Sequence, residues 1–144
     1  KGENMRIKRS EGFTLIELVL VITILGILAV AALPSFINIG TQAEQSSRDG
    51  VVGAVRSGIA MSRANDIVTN GPPGVYPATL DAVAANATAA PAAPFFVNVL
   101  ENGISDGNWA KGAATNIYIF DDGTSTFTYT YTVATGTFTS PTAP

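Results

Sequence analysis

A chain of 144 residues with a formal net charge of −3 has room for one domain plus an appendage rather than two domains. It is 47% hydrophobic but only 13% charged, where about a quarter is usual in soluble domains. It has no cysteine and no histidine, which excludes disulfides, a Cys or His nucleophile, a Ser-His-Asp triad and a Cys/His zinc site. The charge is uneven: Lys1, Arg6, Lys8 and Arg9 crowd the start, whereas from Phe13 onward only Arg48, Arg56, Arg63 and Lys111 oppose nine acids. No nucleic-acid contact is expected from that distribution.

The first predicted element is apolar. Residues 13–33 read FTLIELVLVITILGILAVAAL, 21 residues with Glu17 as the one charge. As a helix rising about 1.5 Å per residue, the run matches the roughly 30 Å of a bilayer's hydrocarbon core. The basic residues before it place the N-terminus in the cytoplasm. A cleaved secretory signal would have a shorter apolar core followed by a small-residue cleavage site, but here the small residue, Gly12, comes first. A plain membrane anchor fits the length and the flanks. It gives no reason for Glu17, since a carboxylate within hydrocarbon is costly and by default marks function.

Residues 11–36, EGFTLIELVLVITILGILAVAALPSF, resemble the N-terminus of type IV pilins and the related pseudopilins. The shared pattern is a short basic leader ending in Gly12, then Phe13, then Glu17 at the fifth place after the cut, with Gly26 and Pro34 further along the hydrophobic helix. The resemblance implies a leader at residues 1–12, of which MRIKRSEG, beginning at Met5, has the family's length. It implies a prepilin peptidase that cleaves after Gly12 and methylates the Phe13 amine. It also implies a subunit held in the inner membrane, N-terminus cytoplasmic, before an assembly platform draws it into a homopolymeric filament. In that filament Glu17 would pair with the N-terminal ammonium of a neighbouring copy. A second buried charge of opposite sign relieves the cost of the first, and a partner that only a correctly staggered copy supplies fixes register. Gly26 and Pro34 weaken a helix on residue chemistry alone, by a missing side chain and a missing N–H. The resemblance implies that the segment between them loses helicity in the filament.

Residues 13–34 are thus expected to form the membrane-spanning and filament-core half of one helix, and residues 35–65 its amphipathic continuation. Phe36, Gly40, Ala43, Ser47, Val51, Ala54, Val55, Gly58, Ile59 and Ser62 recur at steps of three and four and make a narrow, mostly small face, with Gln45 and Arg48 mainly off it. Residues 66–144 are expected to form a globular head. Residues 70–94 hold five of the eight prolines and read as a loop, with a short helix at 80–85. Residues 95–103 fit either a short helix capped by Gly103 or a strand, the helix being preferred. Residues 117–120 read as a strand, Asp121 to Thr124 as a hairpin turn, and 125–133 as a half-buried strand that alternates Phe127, Tyr129, Tyr131 and Val133 with threonines. Residues 137–139 begin a third strand. Trp109 is expected to cover an edge of the core. The expected fold is α+β: a long N-terminal α-helix packed against a small three-stranded antiparallel sheet.

No phosphate-binding loop or catalytic constellation is present, so no enzyme activity and no cofactor are expected. The adjacent Asp121 and Asp122 read as turn chemistry. Major pseudopilins bind calcium in a C-terminal loop, which leaves a cation near Asp106 or Asp121 open, but no metal ligand is assigned. The sequon Asn86, Ala87, Thr88 is one triplet in a chain rich in Asn and Thr. The leading expectation is a structural subunit of a type IV pilus, for adhesion, motility or DNA uptake, ending on the cell surface. The alternative is a pseudopilin of a type II secretion system, whose short fibre stays in the periplasm. A third class is a monomeric anchored binding module, which would keep its leader and form no fibres.

Overall fold

The computed structural model describes residues 12–140, apart from the side chains of residues 37 and 38. The expected leader falls mostly on residues 1–11, outside the described residues. One helix and four strands follow in the order α1 (Leu15–Asn70), β1 (Trp109–Lys111), β2 (Ile117–Asp121), β3 (Thr126–Thr132) and β4 (Thr137–Thr139). The architecture is α+β, as expected. The chain divides into two compact units, Lys1–Ile39 and Gly40–Pro144, with α1 running through both.

Helix α1 is helical throughout its 56 residues, including Pro34. It ends where Gly71 takes a left-handed backbone, φ 87°, and donates its N–H to the Ile67 carbonyl at 2.9 Å. Glycine tolerates that conformation without a Cβ clash, and the two prolines after it cannot continue the helix. The end lies five residues beyond the expected 65, because this stop signal rather than the loss of periodicity sets it. Asp66 ties the last turn to the loop, accepting from the Asn70 amide at 2.7 Å and from the Val75 N–H at 2.8 Å.

In the second unit the strands form one antiparallel sheet in the order β1-β2-β3-β4. The expectation of three strands is corrected by β1, which pairs Trp109 with Phe120 and Lys111 with Tyr118. Three residues are too short for alternation to show in the sequence. Strands β2 and β3 pair Tyr118 with Tyr129 and Phe120 with Phe127, which puts their aromatics on one face. The threonines of β3 stand on the other face, as the alternation requires.

The core is aromatic. Trp109, Tyr118, Phe120, Tyr129, Tyr131 and Phe138 of the sheet meet Phe95, Phe96 and Leu80 of the long loop and Val52, Val55 and Ile59 of α1. Phe96 stacks on Tyr118 at 4.5 Å and Tyr129 on Phe138 at 5.3 Å, and the Trp109 ring meets Phe96 edge-on at 5.5 Å. Such pairs add about 0.5–1.5 kcal/mol each beyond the area they bury. Trp109 is fully buried, not a cover at the edge.

The buried face of the helix shares Val51, Val55, Gly58 and Ile59 with the expected one and differs elsewhere. Val52, Val55 and Ile59 are buried and Gln45 and Arg48 half-buried, whereas Ala43, Ser47 and Ala54 are exposed. Small residues bury too little area to orient a helix. The larger aliphatics orient it, together with polar groups that find partners on the sheet. The Gln45 amide donates to Asp122 at 2.9 Å, the Arg48 guanidinium lies 4.0 Å over the Phe127 ring, and Arg56 Nε donates to the Phe138 carbonyl at 2.9 Å.

The loop from Gly71 to Asn108 is ordered by backbone bonds to the sheet edge. Ala89 donates to the Trp109 carbonyl at 2.8 Å and Lys111 to the Ala87 carbonyl at 2.7 Å. The helix expected at 80–85 does not form, because Asp81 is turned into the core instead. At 95–103 the preferred helix is a single turn, closed by Leu100 N–H on the Phe96 carbonyl at 2.8 Å, while Phe95 bridges Ile104.

That turn lies directly on α1. A Cβ on Gly58 would stand 2.3 Å from the Val99 carbonyl oxygen. Gly58→Ala is therefore expected to destabilise the fold by about 1–3 kcal/mol, the usual cost of forcing atoms into a packed interior. Alanine at Gly53, which meets nothing, should be neutral or mildly stabilising. Denaturant midpoints of the full chain in detergent check both.

Candidate functional site

The N-terminal end of α1 is closed by Thr14 and Glu17. Thr14 is the N-cap and Glu17 stands three positions inside. The Thr14 hydroxyl accepts from the Glu17 N–H at 3.3 Å, and Glu17 Oε2 accepts from the Thr14 N–H at 2.9 Å and from its hydroxyl at 2.8 Å. This reciprocal arrangement is a capping box, which satisfies donors that a helix start otherwise leaves unpaired. Both bonds fall on Oε2, and Oε1 has no hydrogen-bond partner among the described residues. Phe13 precedes the cap and is 91% exposed. The sequence reading gave Glu17 a cost in lipid and a partner in a neighbouring copy, but no role in its own helix. The Thr-Leu-Ile-Glu spacing that marks a cap was legible and passed over.

Among the described residues, the rest of this unit shows no protected face. From Leu15 to Phe36 the large apolar side chains are exposed, among them Leu18, Ile22, Leu25, Leu28 and Leu33. A helix apolar all round requires lipid or other helices around it. It is long and apolar enough to cross a membrane. Gly26 and Pro34 both lie within regular helix here. Proline at 34 supplies no N–H to the Val30 carbonyl, and a Cβ on Gly26 would meet nothing.

The acidic hairpin turn behaves as turn chemistry. Asp121 accepts from the Gly123 N–H at 2.8 Å, and Asp122 accepts from the Thr124 and Ser125 N–H groups at 2.9 and 2.7 Å. Among the described residues no group of three or more carboxylates gathers that could hold a metal. The Gln45 amide and then the Ser125 N–H hold the Asp122 carboxyl below its usual range, and the Val75 N–H and then the Asn70 amide do the same for Asp66. A depressed folded-state value adds stability that is complete above the unfolded value and is lost as pH falls through the folded one. Thermal melts of the full chain in detergent should give a level midpoint from about pH 7 to 5 and a falling one below about pH 4. Asp122→Asn should flatten the acid limb.

A third constellation gave no signal in the sequence. Lys111 Nζ lies 2.9 Å from Asp81 Oδ1, with side chains 1% and 0% exposed. Asp81 also accepts from the N–H groups of Val83, at 3.0 Å, and Phe96, at 3.2 Å, and from the Tyr118 hydroxyl at 2.8 Å. Nζ donates to the Thr115 carbonyl and, at 2.9 Å, to the Tyr118 hydroxyl. Burial pulls the Lys111 ammonium below its ordinary value and pushes the Tyr118 phenol far above its own. Phe96 adopts φ 63°, an outlier for a bulky side chain, while its ring is buried and its N–H faces Asp81.

Comparison with known proteins finds two similarities. Residues 7–33 match the family described as the prokaryotic N-terminal methylation motif. The chain is also similar to the type IV narrow pilus major component PilA5 of Thermus thermophilus, 48% identical over 54 residues. Residues 7–33 thus carry a motif shared with that family, and 54 residues of the chain are similar to a type IV pilus component. The matched stretch covers 38% of this chain and 47% of the relative, so the chain spans about half the length of the curated relative it matches. No solved structure matches.

Proposed function

We propose that this chain is the repeating subunit of a type IV pilus, polymerising through the first half of α1. The observation that carries the reading is a helix exposed and apolar on every side from Leu15 to Phe36, with one carboxylate at its start. In a membrane, lipid covers that surface; in a filament, copies of the same helix do. Cleavage between Gly12 and Phe13 frees an ammonium one residue before the N-cap. A positive charge at the positive end of the helix dipole is unfavourable there unless a carboxylate compensates. Glu17 offers Oε1 for that purpose while Oε2 keeps the cap, so one side chain serves its own helix and a staggered neighbour. Gly26 and Pro34 mark the segment that unwinds when the fibre is stretched. The partners are further copies, a prepilin peptidase and an inner-membrane assembly platform. The chain moves from the inner membrane to the cell surface.

Electron microscopy and mass spectrometry of sheared surface fibres test this. Long fibres whose subunit begins at N-methylated Phe13 are expected. Trimmed subunit confined to the envelope would contradict the pilus and favour the periplasmic secretion fibre. Untrimmed monomer would contradict both.

A further inference from the structure

We propose that Lys111 and Asp81 condense into an intramolecular isopeptide bond, Lys111 Nζ to Asp81 Cγ, with release of one water. The geometry is that of a reaction complex rather than of a surface ion pair. The two side chains are in contact at 2.9 Å and almost wholly buried. Their surroundings are aromatic, with Nζ 4.0 Å from the Tyr118 ring centroid and 5.7 Å from that of Phe95. The Phe96 and Val83 N–H groups fix the carboxylate and the Thr115 carbonyl fixes the amine. The Tyr118 hydroxyl accepts from Nζ at 2.9 Å and donates to Asp81 Oδ2 at 2.8 Å, a continuous path for one proton between them.

The chemistry follows from where the charges sit. In water an ammonium and a carboxylate are favoured over their amide because both ions are well hydrated. Inside this box that hydration is lost, and the mutual attraction of a buried pair repays the loss incompletely. Burial already pulls the Lys111 amine toward its neutral form, and Tyr118 stays protonated, so it relays a proton rather than ionising. One proton passes from Nζ through Tyr118 to Oδ2, leaving a neutral amine and a carboxylic acid. The Nζ lone pair attacks Cγ. The bond from Cγ to Oδ2 then breaks, and that hydroxyl takes a second proton from Nζ and leaves as water. The last N–H remains on the amide, beside the Thr115 carbonyl. The strained backbone of Phe96, which points its N–H at the carboxylate, suits a site held for reaction. The bond would close the chain between residues 81 and 111 and tie the loop to edge strand β1.

The sequence supplies a direct test. No Lys or Arg lies between Arg63 and Lys111 or after Lys111. Without the bond, denatured full-length chain cut by trypsin releases residues 64–111 and 112–144 as two peptides. With it, trypsin cannot cut after Lys111, and residues 64–144 appear as one species lighter by one water. That single species is expected, together with an intact mass one water below the sequence mass. Two separate peptides and an unaltered intact mass from the wild-type chain would overturn the proposal. Tyr118→Phe should lower the linked fraction at least several-fold while the chain still folds by circular dichroism. A folded Tyr118→Phe chain linked as fully and as fast as wild type would overturn the proton path.

Discussion

Replacing Glu17 by glutamine is expected to lower fibre yield roughly tenfold or more, the scale on which a modest lost contact changes an association constant. Insertion and trimming after Gly12 should be unchanged. Glutamine serves a capping box as glutamate does, so Glu17→Gln keeps the start of α1 and removes only the charge. Glu17→Ala removes both. If the carboxylate acts only on its own helix, glutamine should assemble normally and alanine should fail. If it also meets a neighbour's ammonium, both fail alike. Fibre yield per cell, read against the amount of trimmed subunit in the membrane, separates the two outcomes. The pairing idea gains from this contrast, because the local hydrogen bonds of Glu17 are now a specific competing explanation.

The second large effect lies at the buried pair. Measured against unlinked wild-type chain, Asp81→Ala is expected to destabilise the fold by about 4–5 kcal/mol and Lys111→Met by about 3 kcal/mol, within the range for breaking a buried ion pair. The order follows from the number of groups each leaves behind. Asp81 holds two backbone N–H groups, a phenol and an ammonium, so its loss orphans four donors in the interior. Lys111 leaves a carboxylate that keeps three donors. Denaturant unfolding of the full chain in detergent measures both. Equal losses, or a larger loss at Lys111, would show that the carboxylate is not the hub.

Much of this was legible because the signals are local. The apolar run, the Gly12–Phe13–Glu17 spacing and the aromatic and threonine alternation of β3 each lie within a few residues. What was missed depends on contacts made across the chain. Lys111 read as one of four scattered cations and Asp81 as one of nine acids, and no spacing joins them. Only the folding of the loop against β1 brings them together. The helix face was only partly legible for a related reason. Repetition of small residues describes a possible close approach, but of the two glycines on that face only Gly58 is closely approached, by the Val99 carbonyl. The orienting residues Val52, Gln45 and Arg48 are specified by what the sheet offers opposite them.

The most direct test of assembly through the N-terminal helix is a filament structure from sheared fibres at side-chain resolution. The account predicts α1 helices packed at the fibre axis, with the Glu17 carboxylate within about 4 Å of the Phe13 amine of an adjacent copy. Fibres in which that carboxylate touches only its own Thr14, or in which residues 13–36 lie outside the core, would contradict it.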